Sequence, residues 1–470
     1  MAGLAAARLL AARHIAVQLF ESNDKVGGCC GTTRVGAYTF NDGAIYLALP
    51  GMLDHLFHRL GLDRRELLPV RDIVALQSTT LPDGTVVKIG GGPPATIVTG
   101  NTAADAVTRR ELQIFMARWD PVLRLFAEDI FLHRFAFSGF LAKSWRYLPM
   151  LRGTVATQLT QCFSNEAVRA ALAASLLYIG MPPERMPALA IVALVAMLRN
   201  GYFLPEGGMS ALPQSLARAA EDTGCRIHLG TPVRRILTQR GRLCGIETEN
   251  GETVNVDAAI STLSAMQTFD NLLPRNESPS RLLRKARRAK LSRKGFVLQL
   301  GLRNRVSALS HTQAVVPFLR DQGEALQSIP DELRWPIYTV PTITLPELAP
   351  PGGSIIEAFP PITQDVAAEY WTEEHTAPIA AQTISRLKAF HDLDIEASRI
   401  LSPREFANTF HLYAGTLYGL SPLAPPMSLF DHATPIQGLY LAGQTTWPGF
   451  GVVNAALSGM IAAERLIGRL

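Results

Sequence analysis

The sequence predicts an α/β fold: a parallel sheet with packed helices, interrupted by long insertions that build a second, α+β domain with a helical lobe. Three stretches carry that prediction. Residues 1–28 (MAGLAAARLLAARHIAVQLFESNDKVGG) read as a small-residue helix, a short apolar strand ending in an acid, and a double glycine. The stretch from Gly207-Gly208 to Thr262 runs helix, strand, strand, hairpin, strand. Residues 439–470 (LYLAGQTTWPGFGVVNAALSGMIAAERLIGRL) read as a buried strand, a Pro-Gly loop and a helix of small residues. Strand, glycine and helix recur at both ends and in the middle, as a domain assembled from separated pieces requires.

The opening stretch is the most informative. Gly3 precedes Leu4, Ala5, Ala6, Ala7, Leu9, Leu10, Ala11 and Ala12, residues slim enough for a helix to lie close on a sheet. Residues 15–20 (IAVQLF) form the strand, and Glu21 at its tip stands eighteen positions after Gly3. A carboxylate there can accept both ribose hydroxyls of an adenosine, at the spacing of roughly 20 residues used by dinucleotide-binding βαβ units. Gly27 and Gly28 then let the backbone approach a pyrophosphate, where a side chain would clash. A complete unit begins with a strand and a G-x-G-x-x-G turn. Only its last glycine, Gly3, stands here, so the expectation is a Rossmann-like domain with its first strand missing. An ordinary Ala/Leu helix before a strand would look similar. A targeting peptide bearing Arg8 and Arg13 would not: charge breaks the apolar run and no cleavage site follows.

Length and composition set bounds. A chain of 470 residues exceeds one simple domain. Hydrophobic residues make up 47% and charged residues 18%, enough for a large core or an apolar cavity. A net charge of +5 is too small to argue for nucleic acid, and no basic-aromatic pattern accompanies it, so no nucleic-acid partner is expected. Cys29, Cys30, Cys162, Cys225 and Cys244 show no metal spacing, and adjacent Cys29 and Cys30 are badly placed for a disulfide. Free thiols in a reducing, cytoplasmic setting and no metal are expected. No run reaches the roughly 18 apolar residues of a membrane span. Residues 188–198 (ALAIVALVAML) are either a buried helix or one that dips into a membrane face.

The remaining elements follow in order. Residues 34–40 read as paired short strands with Asn41, Asp42 and Gly43 as a turn, and 52–60 as a helix. Asp83-Gly84 turns a hairpin within 79–88. Apolar spacings of three and four predict helices over 109–126, 141–151 and 166–178. Ser210 to Ala220 is a helix, 225–229 a strand, and Asn250-Gly251 a hairpin turn into a strand over 254–260. The basic run 281–294 (RLLRKARRAKLSRK) is a solvated connecting helix, or else a site for anionic headgroups, each cation contributing about 1 kcal/mol near such a surface. Residues 296–302 and 354–359 are strands of a second sheet, flooring a substrate cavity. Residues 376–390 are a helix with Pro378 in its first turn, where a missing amide costs little. The division is 1–75, 201–265 and 426–470 for the nucleotide-binding domain, and 76–200 and 266–425 for the second.

Taken together, these pieces resemble the phytoene desaturase and carotenoid isomerase family, within the larger flavin-containing, amine-oxidase-like group. The matching segments are GLAAARLLA, LFESNDKVGG, YTFNDG, the stretch from GGMSALPQSLA to GTPVRRI, YAGTLYGL and GLYLAGQTTWPGFGVVNAALSG, which span the chain. The last is the most specific. The resemblance implies FAD as cofactor and a long apolar polyene as substrate, drawn from a membrane, hence peripheral contact with the cytoplasmic membrane face. It implies Gly3 at the pyrophosphate, Glu21 on the adenosine ribose, and Gly27 and Gly28 along the phosphates. Val233 would meet the adenine by its backbone, Gly443 would lie at the ribityl phosphate end, and Gly451 and Val452 near the isoalloxazine.

Three departures stand out. The first strand and two glycines are absent, so either the chain begins further upstream or this form binds FAD poorly. Cys29 stands where relatives often carry arginine, and Asn41 where many carry aspartate. Polyene dehydrogenation needs hydride acceptance at the flavin and proton loss from the adjacent carbon; isomerisation would use the same cavity. No nucleophile-base arrangement stands out. His411, Tyr413, Tyr418 and Trp447 should border the cavity, and only His411 has a useful proton-transfer pKa, although a structural histidine is the plainer alternative. Trp447 and Phe450 read as packing. An oxidase of another apolar or amine substrate, marked by an aromatic cage, and an inactive flavoprotein-like scaffold remain as alternatives. Oligomeric state is not legible.

Overall fold

The computed structural model describes residues 1–179, 181–274, 277–315, 337–364, 366–422 and 424–469. The opening helix (Ala2–Ala11) buries nearly all of its Ala and Leu side chains. Its small residues permit a very close approach to the closing helix (Val452–Ile467), where a Cβ on Gly459 would run into the Ala2 carbonyl oxygen. The two ends of the chain therefore form one packing unit. Beside them lie two parallel strand pairs: Gln18–Phe20 with Arg226–His228, and Ala259–Ser261 with Leu439–Leu441. Among the described residues these pairs are not hydrogen-bonded to each other. Gly3 lies between them, with its Cβ position 3.5 Å from Leu19 and 3.6 Å from Thr262.

The second sheet has eight strands in the order Ile395–Leu401, Val297–Leu302, Ser354–Ala358, Ile337–Thr339, Thr312–Val315, Ala75–Thr80, Val86–Gly90, Thr96–Val98. Every pairing is antiparallel except Thr312–Val315 against Ala75–Thr80. That one parallel contact joins the two insertions into a single sheet. Val297–Leu302 and Ser354–Ala358 are buried along their whole length, which is why they read as nearly continuous apolar runs. The helical lobe centres on Thr102–Glu128, capped by Asn101, whose side chain accepts from the Ala103 and Ala104 amides. It packs on Ile191–Asn200, which buries Ile191, Leu194, Val195 and Leu198. Most of the stretch 188–198 is therefore core.

Several elements differ from their sequence patterns. The helix expected over 141–151 runs instead over Phe137–Ser144, followed by a 3-10 turn at Trp145–Tyr147, with Pro149 blocking its continuation. The strand expected over 254–260 is split: Thr253–Asn255 finishes a three-stranded sheet and Ala259–Ser261 enters a different one. The helix at 376–390 begins earlier, spanning Glu373–Leu387, so Pro378 lies inside it rather than in its first turn. Pro378 thus costs an intrahelical hydrogen bond. No described helix is long and apolar enough to cross a membrane.

Candidate functional site

Glu21 is fixed by backbone on both sides. Its amide donates to the His228 carbonyl at 2.9 Å, and its carbonyl accepts from the Thr231 amide at 2.8 Å. Its Oε1 accepts from the Asn23 amide at 3.0 Å and the Ser22 hydroxyl at 3.2 Å. Among the described residues, Oε2 has no bond and stays available to a diol. Strand Val233–Gln239 starts two residues after Thr231, which brings the Val233 backbone to the same edge. The first turn of the opening helix lies near Glu21, Cys29 and Cys30. A helix N-terminus there favours negative charge.

The glycines divide into two kinds. A Cβ on Gly27 would come within 2.7 Å of the Cys30 carbonyl oxygen and 2.8 Å of Pro213. Glycine at 27 is thus demanded by the chain's own packing, before any ligand is considered. A Cβ on Gly28 would meet no atom within 4 Å, so its surroundings are open. Burial pushes the neighbouring Cys30 thiol up to about 12, and it points at the Met209 carbonyl. It is an inert thiol rather than a nucleophile.

At the other end, the Gly443 amide donates to Ser458 Oγ at 3.0 Å, and the Thr446 hydroxyl and His432 Nε2 meet the same oxygen. Ser458 thereby ties the strand end, the loop and the closing helix together. Gly451 caps that helix with φ +105°, a conformation side chains rarely adopt. Val452 is its first residue. Asn454, in the first turn, donates to the Phe450 carbonyl but leaves its own Oδ1 buried without a partner among the described residues. An open glycine, free helix amides and an orphaned buried carbonyl suit the polar edge of a flavin.

Between these ends lies a polar row that sequence reasoning missed. Arg399, Gln299, Glu357 and Thr339 are register partners across four adjacent strands. Glu357 is buried and accepts from the Asn41 amide and Gln299 Nε2, both at 3.1 Å, and from Thr339 Oγ1 at 3.3 Å. Burial without a cation pushes its carboxyl up to about 7 against those three donors. Neighbouring Asp42 is also buried, but paired: Lys25 Nζ lies at 2.8 Å and Arg399 Nη1 at 2.7 Å. Lys25 comes from LFESNDKVGG and Asn41 and Asp42 from YTFNDG, so those segments seat on the second sheet here. Asn41 Nδ2 is buried and unpartnered. The visible signals were the lone polar residues in FVLQLGL and SIIEAF.

Above the row, Tyr46 stacks on Tyr202 with centroids 3.9 Å apart, and Tyr178 meets Tyr46 edge-on at 6.4 Å. Tyr418 donates to the Tyr178 carbonyl and packs on Phe450 at 4.7 Å. Burial raises the Tyr202 and Tyr418 hydroxyls to about 12, so both stay neutral. Trp447 packs on Phe135 at 4.8 Å and on Phe131 at 5.6 Å. His411 lies between Phe410 and Leu412, which share an apolar cluster with Phe359, the ring that meets Tyr178 edge-on at 5.4 Å. Its backbone, at φ +53°, is held by Gln267 Nε2 donating to its carbonyl at 2.8 Å. Two residues earlier, the Thr409 carbonyl accepts from Asn23, on the Glu21 side. Among the described residues no cluster of His, Cys, Asp and Glu could hold a metal.

The chain is similar to known proteins along nearly its whole length. The family profile described as flavin containing amine oxidoreductase matches residues 1–467. A zeta-carotene-forming phytoene desaturase of Myxococcus xanthus is 27% identical, over 99% of this chain and 92% of its own. A 4,4'-diapophytoene desaturase of Staphylococcus haemolyticus is 24% identical, over 99% and 96%. Among solved structures, an oxidoreductase from Methanosarcina mazei aligns with TM-score 0.63 at 16% identity, covering 99% of this chain and 98% of its own. Putrescine oxidase aligns with TM-score 0.64 at 17% identity, over 100% and 97%. The structural likenesses speak to fold alone.

Proposed function

The chain belongs to the flavin-containing amine oxidoreductase family, and from that premise we propose that it is an FAD-dependent desaturase or isomerase of a long apolar polyene. The observation that carries the proposal is the meeting of its two ends: the opening helix and the closing Pro-Gly loop and helix share one packing unit. Residues 1–75, 201–265 and 426–470 hold the cofactor; 76–200 and 266–425 hold the substrate. Glu21 takes the ribose, Gly3 and Gly28 adjoin the phosphates, and Val233 offers its backbone to the adenine. Gly27 serves by letting that turn pack on Pro213. Gly443, Gly451 and Val452 face the flavin end. The chemistry FAD supplies when bound is hydride acceptance.

The chain's own part is to orient the substrate and exclude water. The tyrosines and phenylalanines near the polar row are rings that carry no charge, which suits an apolar polyene. His411 is the candidate for proton transfer, its backbone held by Gln267. A substrate of this kind resides in a bilayer, so the protein works in peripheral contact with the cytoplasmic membrane face. The desaturase names of its curated relatives support the same substrate class. An amine oxidase is the second reading, raised by the tyrosine cluster. Tyr46 and Tyr202, however, are stacked at van der Waals distance on each other. A cage for an ammonium group needs ring faces free to receive it.

Two measurements test the proposal. Purified protein should keep flavin absorbance through dialysis, and Glu21→Gln should weaken flavin retention about 10- to 100-fold, as loss of a charge-assisted hydrogen bond does. Expressed in a host supplied with phytoene or cis-polyenes, the protein should change the pigment chromatogram. Unchanged pigments with flavin bound would favour an oxidase of another substrate; no retained flavin would favour a scaffold.

A further inference from the structure

The helical lobe carries an apolar face that no described part of the chain covers. Helix Phe137–Ser144 runs into the turn Trp145–Tyr147. Phe137, Leu141, Trp145 and Leu148 stand at intervals of four, four and three, so the helical period brings them to one side. They are 55%, 43%, 60% and 37% exposed. Single exposed apolar residues are ordinary, but a contiguous row marks a surface that meets something apolar.

The charge around this row identifies its partner. From residue 130 to residue 165 the sequence contains no Asp or Glu. Arg134, Lys143, Arg146 and Arg152 are all exposed there. Lys143 is paired with Asp129 at 2.7 Å, and Arg134 reaches Asp431 at 4.0 Å. Arg146 and Arg152 have no ion pair among the described residues. An apolar helix face with a tryptophan and two flanking arginines left unpaired matches the interface of an anionic bilayer. The basic run 281–294 fits less well: it holds no exposed large apolar side chain, and two of its cations are tied inward. Arg287 pairs with Asp270 at 2.7 Å, and Lys285 donates to the Leu429 carbonyl at 2.6 Å and sits over Phe430.

We propose that the face formed by Phe137, Leu141, Trp145 and Leu148 lies on an anionic lipid bilayer, with Arg146 and Arg152 at headgroup level. The assignment rests on the reading of a membrane-derived apolar substrate and adds the surface that makes the contact. Behind the face, Phe140 packs on Phe135 at 5.8 Å, and Phe135 on Trp447 at 4.8 Å. Trp447 opens the loop that leads to Gly451. Docking by this face therefore sets the bilayer at the outer end of an aromatic series that ends at the closing loop.

The test is vesicle binding by the full-length chain, with no carotenoid present. Vesicles of phosphatidylcholine alone are compared with vesicles containing phosphatidylglycerol, by co-sedimentation and by quenching of tryptophan emission with brominated acyl chains. The wild type should bind the anionic vesicles, and Trp145→Phe should remove most of the quenching. Arg146→Gln with Arg152→Gln should lower affinity for anionic vesicles about 30-fold, from two lost headgroup contacts. Leu141→Ser with Trp145→Ser should abolish binding while circular dichroism stays unchanged. Failure of the wild type to bind, or full binding by the Ser variant, overturns the proposal. So does a dimer of the wild type that the Ser variant dissolves, since a second copy would then cover the face. Flavin absorbance is read separately, so vesicle binding without flavin sinks the enzymatic reading alone, and flavin without vesicle binding sinks only the docking face.

Discussion

Glu357→Gln removes a proton-binding group from the middle of the eight-stranded sheet and keeps its shape. In the folded protein the carboxyl is pushed from 4.5 to about 7, with burial the largest cause. Below the lower value the group is protonated in both states. Between the two values the unfolded chain releases a proton that the folded chain keeps, so stability falls as pH rises, and above about 7 that loss is complete. A gap of this size corresponds to about 3 kcal/mol, a large fraction of what usually holds a domain folded. Glutamine has no proton to lose. Its Oε1 can still accept from the Asn41 amide and Gln299, and the Thr339 hydroxyl can rotate to accept from its Nε2. Urea unfolding of both proteins at pH 5 and pH 8 gives the answer, because groups common to both cancel in the difference. The variant should gain on the wild type by about 2.5 kcal/mol between those pH values, since a small part of the loss has already occurred at pH 5. Parallel pH profiles would show that Glu357 stays ionised in the fold, and the account of the polar row would be wrong.

Two further perturbations probe other parts of the fold. His311 is buried with neither ring nitrogen bonded among the described residues, and burial lowers it from 6.5 to about 4, so its stability contribution is present above 6.5 and lost as pH falls toward 4. His311→Phe should flatten that acid limb, seen as a smaller drop in melting temperature between pH 7 and pH 4.5. Gly459→Ala forces a methyl group onto the Ala2 carbonyl and should cost about 1–3 kcal/mol, the usual range for overpacking. Thermal melts read the loss, and gel filtration should show earlier release of flavin.

The parts of this fold legible in the sequence were those written in local signals. Asp83-Gly84 and Asn250-Gly251 turn their hairpins, and apolar spacing finds the long helix Thr102–Glu128. The strand, glycine, loop and helix at the C-terminus are in order. The place of Glu21 was legible too, as the acid that directly follows strand Gln18–Phe20. What escaped depended on long-range register. Nothing local says that Ala75–Thr80 runs parallel to Thr312–Val315, more than two hundred positions later. Gln299 and Glu357 each looked like an isolated polar residue in an apolar strand, and only their pairing makes them partners. Gly27 was identified as constrained, but the constraint is Pro213 and the Cys30 carbonyl, from a helix and a turn whose meeting is tertiary.

That long-range row explains how segments far apart in the chain hold one geometry. The hairpin Thr32–Val35 and Tyr38–Asn41 lies outside the eight-stranded sheet, yet its end reaches that sheet through two carboxylates in opposite electrical situations. Asp42 bridges Lys25, which precedes the hairpin, to Arg399, from the second sheet, so the ion pairs themselves span the joint. A buried charge paired on both sides is costly to separate, because opening the joint leaves a charge unmatched. Glu357 has no cation and takes its donors from both sides, the Asn41 amide from one and Gln299 and Thr339 from the other. Below about pH 7 it carries no charge and adds direction without adding a second buried charge. The paired carboxylate thus resists separation while the unpaired one fixes register. The tyrosines above the row inherit their positions from that arrangement: Tyr46 follows Asp42 by four residues, so a shift of the joint would move the ring that stacks on Tyr202.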